Sequence, residues 1–234
     1  MERAWVKVKL VKRKMLSIDT LSLTFTGKNL STHIPGQFYL VKIPQKDHTN
    51  VSREYSIANT PNNTNTIEFG IQKVENGIVS TFLHTLKKGQ EIEVKGPLGL
   101  YFNWNSEYKG PVVFIVGGSG IVPIMSMLRS LPKNKLILIA SFKTRAHFSY
   151  LTEILDLTTL LDLTFVPTVT RETTTEWNGR TGRIDAELLK ATTNGLPNTT
   201  QFFVCGRSEF VENITSILLG LGANLKNIQR ERFG

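Results

Sequence analysis

Cysteine is all but missing from this chain of 234 residues. Cys205 stands alone, so no disulfide can close within the chain. Nor can four of its own thiolates hold an iron–sulfur cluster. Histidine is nearly as scarce: His33, His48, His84 and His147 lie far apart, with no metal-ligand spacing, and no metal site is expected. Long apolar runs are lacking too; no stretch approaches the roughly 20 residues that span a bilayer. The opening Met1-Glu2-Arg3-Ala4-Trp5-Val6-Lys7 lacks the apolar core of a secretion signal, so a soluble, cytoplasmic protein is expected. Acidic residues are outnumbered, 19 against 28 Lys and Arg, for a formal net charge of +9. Part of the excess is local, in Arg3, Lys7, Lys9, Lys12, Arg13 and Lys14. No basic helix, zinc motif or aromatic–basic signature accompanies it, so nucleic acid is not the expected partner. Three readings of the charge remain: a Lys-studded edge strand that resists aggregation, an acidic protein partner, and nucleotide phosphates held by the chain.

What is present is a globular composition, 40% hydrophobic and 20% charged, long enough for one large domain or two ordinary ones. The first hundred residues alternate in strand fashion. Val6, Val8 and Leu10 interleave with Lys7 and Lys9, and Leu21, Leu23 and Phe25 with Ser22 and Thr24. Further strands are expected at Phe38–Ile43, Tyr55–Ala58, Thr66–Ile71 and Glu91–Val94, punctuated by Pro35-Gly36, Pro61-Asn62-Asn63, Asn76-Gly77, Lys88-Gly89 and Gly96-Pro97. One helix, Ser80 to Leu86, interrupts them. Near Ser106–Gly110 the pattern changes to buried apolar runs alternating with helical segments. Strands are expected at 112–116, 136–140, 163–169 and 201–205, and helices at 121–130, 150–157, 185–191 and 208–220. The expected fold has two domains: an N-terminal antiparallel β-barrel over 1–106, then a C-terminal α/β domain with a mostly parallel sheet over 107–234. A crevice between them is expected.

Several segments offer chemistry, each beside a plainer reading. Arg53-Glu54-Tyr55-Ser56 supplies a cation, a flat ring and a hydroxyl within four residues. These suit a phosphate, a planar heterocycle and a ring nitrogen, although an ordinary half-exposed strand reads the same. Asn76-Gly77-Ile78-Val79-Ser80-Thr81 precedes the interposed helix. Its amides and hydroxyls can cradle a pyrophosphate, or Ser80 can simply cap the helix. Val113-Phe114-Ile115-Val116-Gly117-Gly118-Ser119-Gly120-Ile121-Val122-Pro123 joins a buried strand to a helix through a glycine-rich turn. It suits either a phosphate or close strand–helix packing, and its spacing is not Gly-x-Gly-x-x-Gly. Cys205 ends the last apolar strand, where ligands of parallel sheets gather, or else is a small buried hydrophobe. Thr170-Arg171 ends another strand, where the Arg is either solvated or set against a phosphate.

In this order, the segments resemble the ferredoxin–NADP reductase superfamily of flavoprotein oxidoreductases over nearly the whole chain. The resemblance runs from Pro35-Gly36-Gln37-Phe38 through Arg53-x-Tyr55-Ser56, Gly77-x-x-Ser80-Thr81 and Gly96-Pro97-Leu98-Gly99. It continues with Gly117-Gly118-Ser119-Gly120-Ile121-x-Pro123 and Cys205-Gly206, and ends at Glu231-Arg232-Phe233. It implies an FAD-binding barrel and an NAD(P)-binding α/β domain. Arg53 would bind the flavin phosphates, Tyr55 would pack on the isoalloxazine and Ser56 would sit near flavin N5. Gly77, Ser80 and Thr81 would bind the pyrophosphate. Gly118, Ser119 and Gly120 would receive the nicotinamide nucleotide, with its ring near Cys205. Glu231 and Phe233 match the family's C-terminal acid and aromatic, although a terminal Tyr is common in the plant-type branch and here Phe233 is followed by Gly234.

The implied catalytic groups are Ser56, Cys205 and Glu231, and the implied reaction is hydride transfer from NAD(P)H to bound flavin, followed by electron release to a separate acceptor. A pyrophosphate cradle favours FAD over FMN. Thr170-Arg171, with Lys143 and Arg145, resembles the Ser-Arg pair of NADPH-using relatives and favours NADPH over NADH. Lacking cluster cysteines and a preceding haem segment, the chain is expected to be a stand-alone reductase. Its acceptor is expected to be an acidic redox protein such as a ferredoxin or flavodoxin, or an oxygenase component. A reductase of free flavin and a non-catalytic electron-transfer subunit are the alternatives.

Overall fold

The computed structural model describes residues 3–44, 50–61, 65–173 and 177–233; His48 and the Asn62-Asn63 part of one expected turn lie outside them. The chain divides into two compact units. The first comprises Met1–Trp104 together with Val122–Ser130, the second Asn105–Ile121 together with Leu131–Gly234.

In the first unit, β1 (Val6–Ser17), β2 (Thr20–Thr26), β3 (Phe38–Pro44), β4 (Asn50–Ser56), β5 (Thr66–Gln72) and β6 (Glu91–Leu98) form one sheet in the order β4-β3-β6-β1-β2-β5. Its paired strands are antiparallel. The sheet curls shut just past β4, where Ile57 bridges Phe69 and Ala58 N–H donates to Glu68 O at 2.8 Å. Alternation explains the strands: Val8 and Leu10 are buried while Lys7 and Lys9 are exposed. Inward residues from the six strands form the core around Phe25, Tyr39 and Phe69. A short helix, α1 (Ile78–Thr85), adds Val79 and Leu83 to it.

The basic N-terminal segment is an edge strand only in part: β1 pairs with β6 over Val6–Lys9 and with β2 over Lys9–Ser17, so among the described residues the stretch carrying Lys12, Arg13 and Lys14 has a strand on one side only. Much of its charge is answered locally. Lys7 and Lys9 stand opposite Glu93 and Glu91. Arg13 donates to Leu86 O (3.2 Å) and His84 O (2.9 Å), where α1 leaves carbonyls unpaired. Lys12 and Lys14 are exposed and face only Thr24 and Ser22 across the ladder.

In the second unit, β7 (Val112–Gly117), β8 (Leu136–Phe142), β9 (Leu163–Val169), β10 (Arg180–Thr181), β11 (Gln201–Arg207) and β12 (Ile228–Phe233) pair in parallel in the order β10-β9-β8-β7-β11-β12. Strands β7 and β8 are buried almost end to end, as a sheet covered on both faces requires. The helices of this half are α2 (Ile121–Arg129), α3 (Leu151–Leu160), α4 (Ala186–Thr193) and α5 (Ser208–Gly220). Leu188, Leu189, Val211, Ile214 and Leu218 from α4 and α5 pack on Val113, Ile115, Ile139 and Val204. The two-domain fold expected from the pattern is therefore present. The pattern did not announce β10, which is two residues long, or β12, whose Gln-Arg-Glu-Arg centre resembles a solvated tail. Helix α2 is apolar nearly all round and its residues Ile121–Leu128 are buried; most of it belongs with the first unit.

Candidate functional site

Arg53, Tyr55 and Ser56 all lie on β4. Strand alternation puts Arg53 and Tyr55 on one face and Ser56 on the other, in register with Val41, Tyr39 and Phe38 of β3. Tyr55 is half-buried; its ring meets that of Phe69 at 6.3 Å, and burial pushes its phenol up to about 12. The ring is thus backed by the core and neutral at ordinary pH, which suits stacking on a planar heterocycle. Arg53 is exposed and donates to Ser52 O at 2.8 Å. Ser56, the last residue of β4, is half-buried.

Helix α1 lies against β4 and β5. Its N-cap is Gly77, not Ser80: the first helical bond runs from Thr81 N–H to Gly77 O, and no acidic side chain sits in the first turn. The amides of Ile78, Val79 and Ser80 precede that bond, so an anion meets free donors and the positive end of the helix. The Ser80 hydroxyl is buried and already engaged, donating to Gly77 O and accepting from Val74 N–H, both at 3.2 Å. Ser80 can therefore serve a phosphate through its amide, whereas Thr81 is exposed.

At the start of β3 and the end of β6 the Gly36–Phe38 and Gly96–Gly99 segments hold each other. Gln37 donates to Gly99 O at 3.0 Å and accepts from Ile34 N–H at 2.9 Å. Gly36 has φ +101°, and a Cβ there would lie 1.9 Å from Phe102 O. A Cβ on Gly96 would lie 2.6 Å from the Tyr39 ring. The motif glycines are thus sites of close approach.

In the second unit the sheet order reverses between β7 and β11, the switch point where parallel sheets bind ligands at their strand C-termini. The 3-10 turn Gly118–Gly120 follows β7, and Cys205-Gly206 lies near the end of β11. Gly118 has φ +56°, and a Cβ on Gly120 would lie 2.2 Å from Cys205 O, so the turn sits directly on the neighbouring strand. It carries no acidic side chain, and Ser119 is half-buried. Bare amides and glycines without Cβ atoms fit a nucleotide phosphate here.

Cys205 is fully buried, and burial with the nearby Glu231 carboxylate holds its thiol well above the usual range. It therefore acts as a neutral, compact side chain and not as a thiolate nucleophile. Glu231 and Phe233 lie on β12, opposite Cys205 and Arg207 of β11. Both are half-buried while Arg230 and Arg232 are exposed. Thr170 and Arg171 extend past β9 and are exposed. Thr170 N–H donates to Phe142 O at 2.9 Å and Arg171 N–H to Lys143 O at 2.7 Å. Beside them, Glu172 accepts from Arg145 N–H at 2.8 Å.

Among the described residues, no group of three or more His, Cys, Asp or Glu is placed to hold a metal, and no helix is long and apolar enough to cross a membrane. Two surface hollows share Asn198 and Asn227, near the start of β11 and away from the strand C-termini.

Comparison with known proteins assigns each half of the chain to a domain family. Residues 7–103 match the family model of an oxidoreductase FAD-binding domain, and residues 114–216 that of an oxidoreductase NAD-binding domain. The chain belongs to the ferredoxin–NADP reductase superfamily. It is 28% identical over 211 residues to an NADH-cytochrome b5 reductase 2 of Meyerozyma guilliermondii, spanning 86% of this chain and 71% of that one. It is also 28% identical over 207 residues to the glycine betaine monooxygenase reductase subunit of Pseudomonas aeruginosa, spanning 86% of this chain and about half, 56%, of that one. In fold it is similar to a ferredoxin NADP+ reductase from Neisseria gonorrhoeae with bound FAD and NADP. The TM-score is 0.84 at 20% identity, over 97% of this chain and 98% of the other. Both of these curated relatives are named as reductases.

Sequence reasoning missed the polar groups that hold the chain just beyond Ser56. Ala58 O accepts from Arg129 and Asn59 O accepts from both Ser126 and His33. The available signal was Ser126 and Arg129, polar residues on an otherwise apolar helix.

Proposed function

We propose that this chain is a flavin-dependent NAD(P)H oxidoreductase that passes electrons to a separate redox protein. The observation that carries this reading is Tyr55. Its half-open ring is backed by Phe69, on the strand face that also bears Arg53, and its strand touches helix α1, whose first turn carries no acid. Bound FAD would supply a two-electron acceptor for the hydride and a donor of single electrons to the partner.

The chain's own groups bind and orient. Arg53 and the amides at Gly77–Thr81 answer the pyrophosphate charge, which favours FAD over FMN. Tyr55 would cover one face of the flavin ring, and Ser56 would supply a hydrogen bond near flavin N5. The turn Gly118-Ser119-Gly120 receives the nicotinamide nucleotide. Cys205 and Glu231, adjacent in register on β11 and β12, border its ring, and Phe233 helps order it. Orienting each bound ring and keeping water out would be the protein's main contribution to rate. At the rim, Thr170 and Arg171, with Lys143 and Arg145, outweigh the Glu172 carboxylate and favour NADPH. The remaining basic surface, including Lys12 and Lys14, favours an acidic electron carrier.

The deciding experiment is an absorption spectrum of the purified protein before and after NADPH or NADH, with mass identification of the released pigment. A yellow protein that bleaches and releases FAD supports the reading. A colourless protein that reduces no added flavin or dye overturns it. Arg171→Ala should raise the KM for NADPH about tenfold and leave that for NADH unchanged; equal effects would remove the argument for phosphate recognition. A second reading, reduction of free flavin, is favoured by the exposure of Arg53, whose guanidinium reaches back to Ser52 O. It would give colourless protein that is active only with flavin added.

A further inference from the structure

The flavin strand is fixed from behind by groups that the reading above leaves without a function. The three residues after Ser56 are held on nearly every polar atom. Ile57 N–H donates to Gln37 O at 3.0 Å and Ala58 N–H to Glu68 O at 2.8 Å. Ala58 O accepts from Arg129 Nη1 at 2.8 Å. Asn59 O accepts from Ser126 Oγ at 2.7 Å and pairs with His33 Nε2 at 2.9 Å. The Asn59 side chain accepts from Glu68 N–H at 2.8 Å and donates to Thr66 O at 3.2 Å. The same Arg129 nitrogen lies 3.0 Å from Glu68 Oε2, and Glu68 Oε1 accepts from Ser22 at 2.7 Å.

This arrangement is costly to build. Arg129 and Glu68 retain only 19% and 16% of their side-chain exposure, and a shielded ion pair often gains no stability over an apolar substitute. What the pair does gain is direction. One guanidinium nitrogen ties a main-chain carbonyl two residues past Ser56 to a carboxylate on β5. A methylene stem packed there would leave that carbonyl buried and unanswered.

We propose that Arg129 is a positioning residue for the flavin chemistry: by clamping Ala58 O to Glu68, with Ser126 on Asn59 O, it fixes the Ser56 end of β4 against the flavin. This deepens the proposed function and rests on it. Arg129 and Ser126 touch neither coenzyme in this account; they act through the backbone that carries Ser56.

The test compares Arg129→Met, Arg129→Lys and Ser126→Ala in the full chain reconstituted with FAD. Two quantities are read: the visible spectrum of the oxidised flavin without nicotinamide, and the rate constant of flavin reduction per bound flavin at saturating NADPH. Arg129→Met should shift the flavin band and slow reduction about tenfold, with the nicotinamide KM within about twofold. Arg129→Lys, which keeps the charge but not the planar fork, should recover part of that loss. Ser126→Ala should show the same pattern at smaller amplitude. Should Arg129→Met fail to fold, the other two variants decide by the same pattern. Wild-type spectrum and wild-type rate per flavin in the folded variants, with only the unfolding midpoint lowered, would make the clamp a mere brace and overturn the proposal. Failure of the parent chain to bind FAD or accept a hydride would instead sink the function itself, and is visible before any variant is made.

Discussion

Gly77 and Gly120 both stand where a turn opens toward a helix, but for unlike reasons. A Cβ on Gly77 would meet the Ser80 hydroxyl at 2.6 Å and Val74 Cβ at 3.0 Å, with φ an ordinary −77°. A Cβ on Gly120 would meet Cys205 O at 2.2 Å and Cys205 C at 2.6 Å. The first is limited most tightly by the Ser80 hydroxyl, which can rotate, while the contacts fixed by the main chain, Val74 Cβ and Val74 O, lie farther off at 3.0 and 3.1 Å. The second is limited by the main chain of β11, which cannot move without disturbing the sheet. The turn at Gly77 is thus adjustable at its tightest contact, whereas the turn at Gly120 is fixed by a strand it does not belong to.

Gly36 separates this explanation from a simple contrast between barrel and parallel sheet. It lies in the barrel, yet its constraint is main chain, with Phe102 O at 1.9 Å from the added atom and φ at +101°. Gly36→Ala should therefore be the most damaging of the three, at about 4 kcal/mol, from overpacking plus the backbone strain. Gly120→Ala should cost about 3 kcal/mol and weaken nicotinamide binding. Gly77→Ala should cost about 1 kcal/mol. Urea unfolding midpoints measure all three. If Gly77→Ala proved as costly as Gly120→Ala, the distinction between side-chain and main-chain limits would be lost.

The smallest expected effect sharpens the barrel side. Burial holds the His33 imidazole below 6.5 while it pairs with Asn59 O. Between the folded value and 6.5 the unfolded chain holds a proton that the folded chain lacks, so stability rises with pH there and falls on acidification. His33→Gln should flatten the dependence of the unfolding midpoint on pH below 6.5. An unchanged slope would show that His33 is not its source. Tyr55 gives the opposite sign: a phenol held at about 12 in the fold makes stability fall as pH climbs above 10, the ordinary phenol value.

Much of this was legible in the chain itself. Alternation in Val6–Leu10 and Leu21–Phe25 found barrel strands, and the apolar runs of β7 and β8 found the parallel sheet. Pattern reports burial, not what does the burying. Helix α2 reads as apolar on every side, and nothing in Ile121–Arg129 says that most of it groups with the barrel. For the same reason, the outward lysines of β1 read as one exposed border, although β6 covers the flank of Val6–Lys9 and only the stretch from Lys12 onward is paired on one side alone. Ser80 was a natural choice for a helix cap by residue type, but the hydroxyl turned instead to Val74 and Gly77. The Asn59 hub was illegible because main-chain acceptors carry no mark in a sequence.

The grouping of Val122–Ser130 with Met1–Trp104 bears on how the polypeptide matures during synthesis. When Trp104 leaves the ribosome, His33 and Ser22 can already answer Asn59 O and the Glu68 carboxylate, but the barrel still lacks the Arg129 donor to Ala58 O and Glu68 and the Ser126 donor to Asn59 O. The nascent chain must extend through Arg129, past the whole of β7, before those donors are in place. The N-terminal half is therefore not finished first in the usual sequential manner, and a nascent fragment stalled before that helix would present an open polar seam to chaperones.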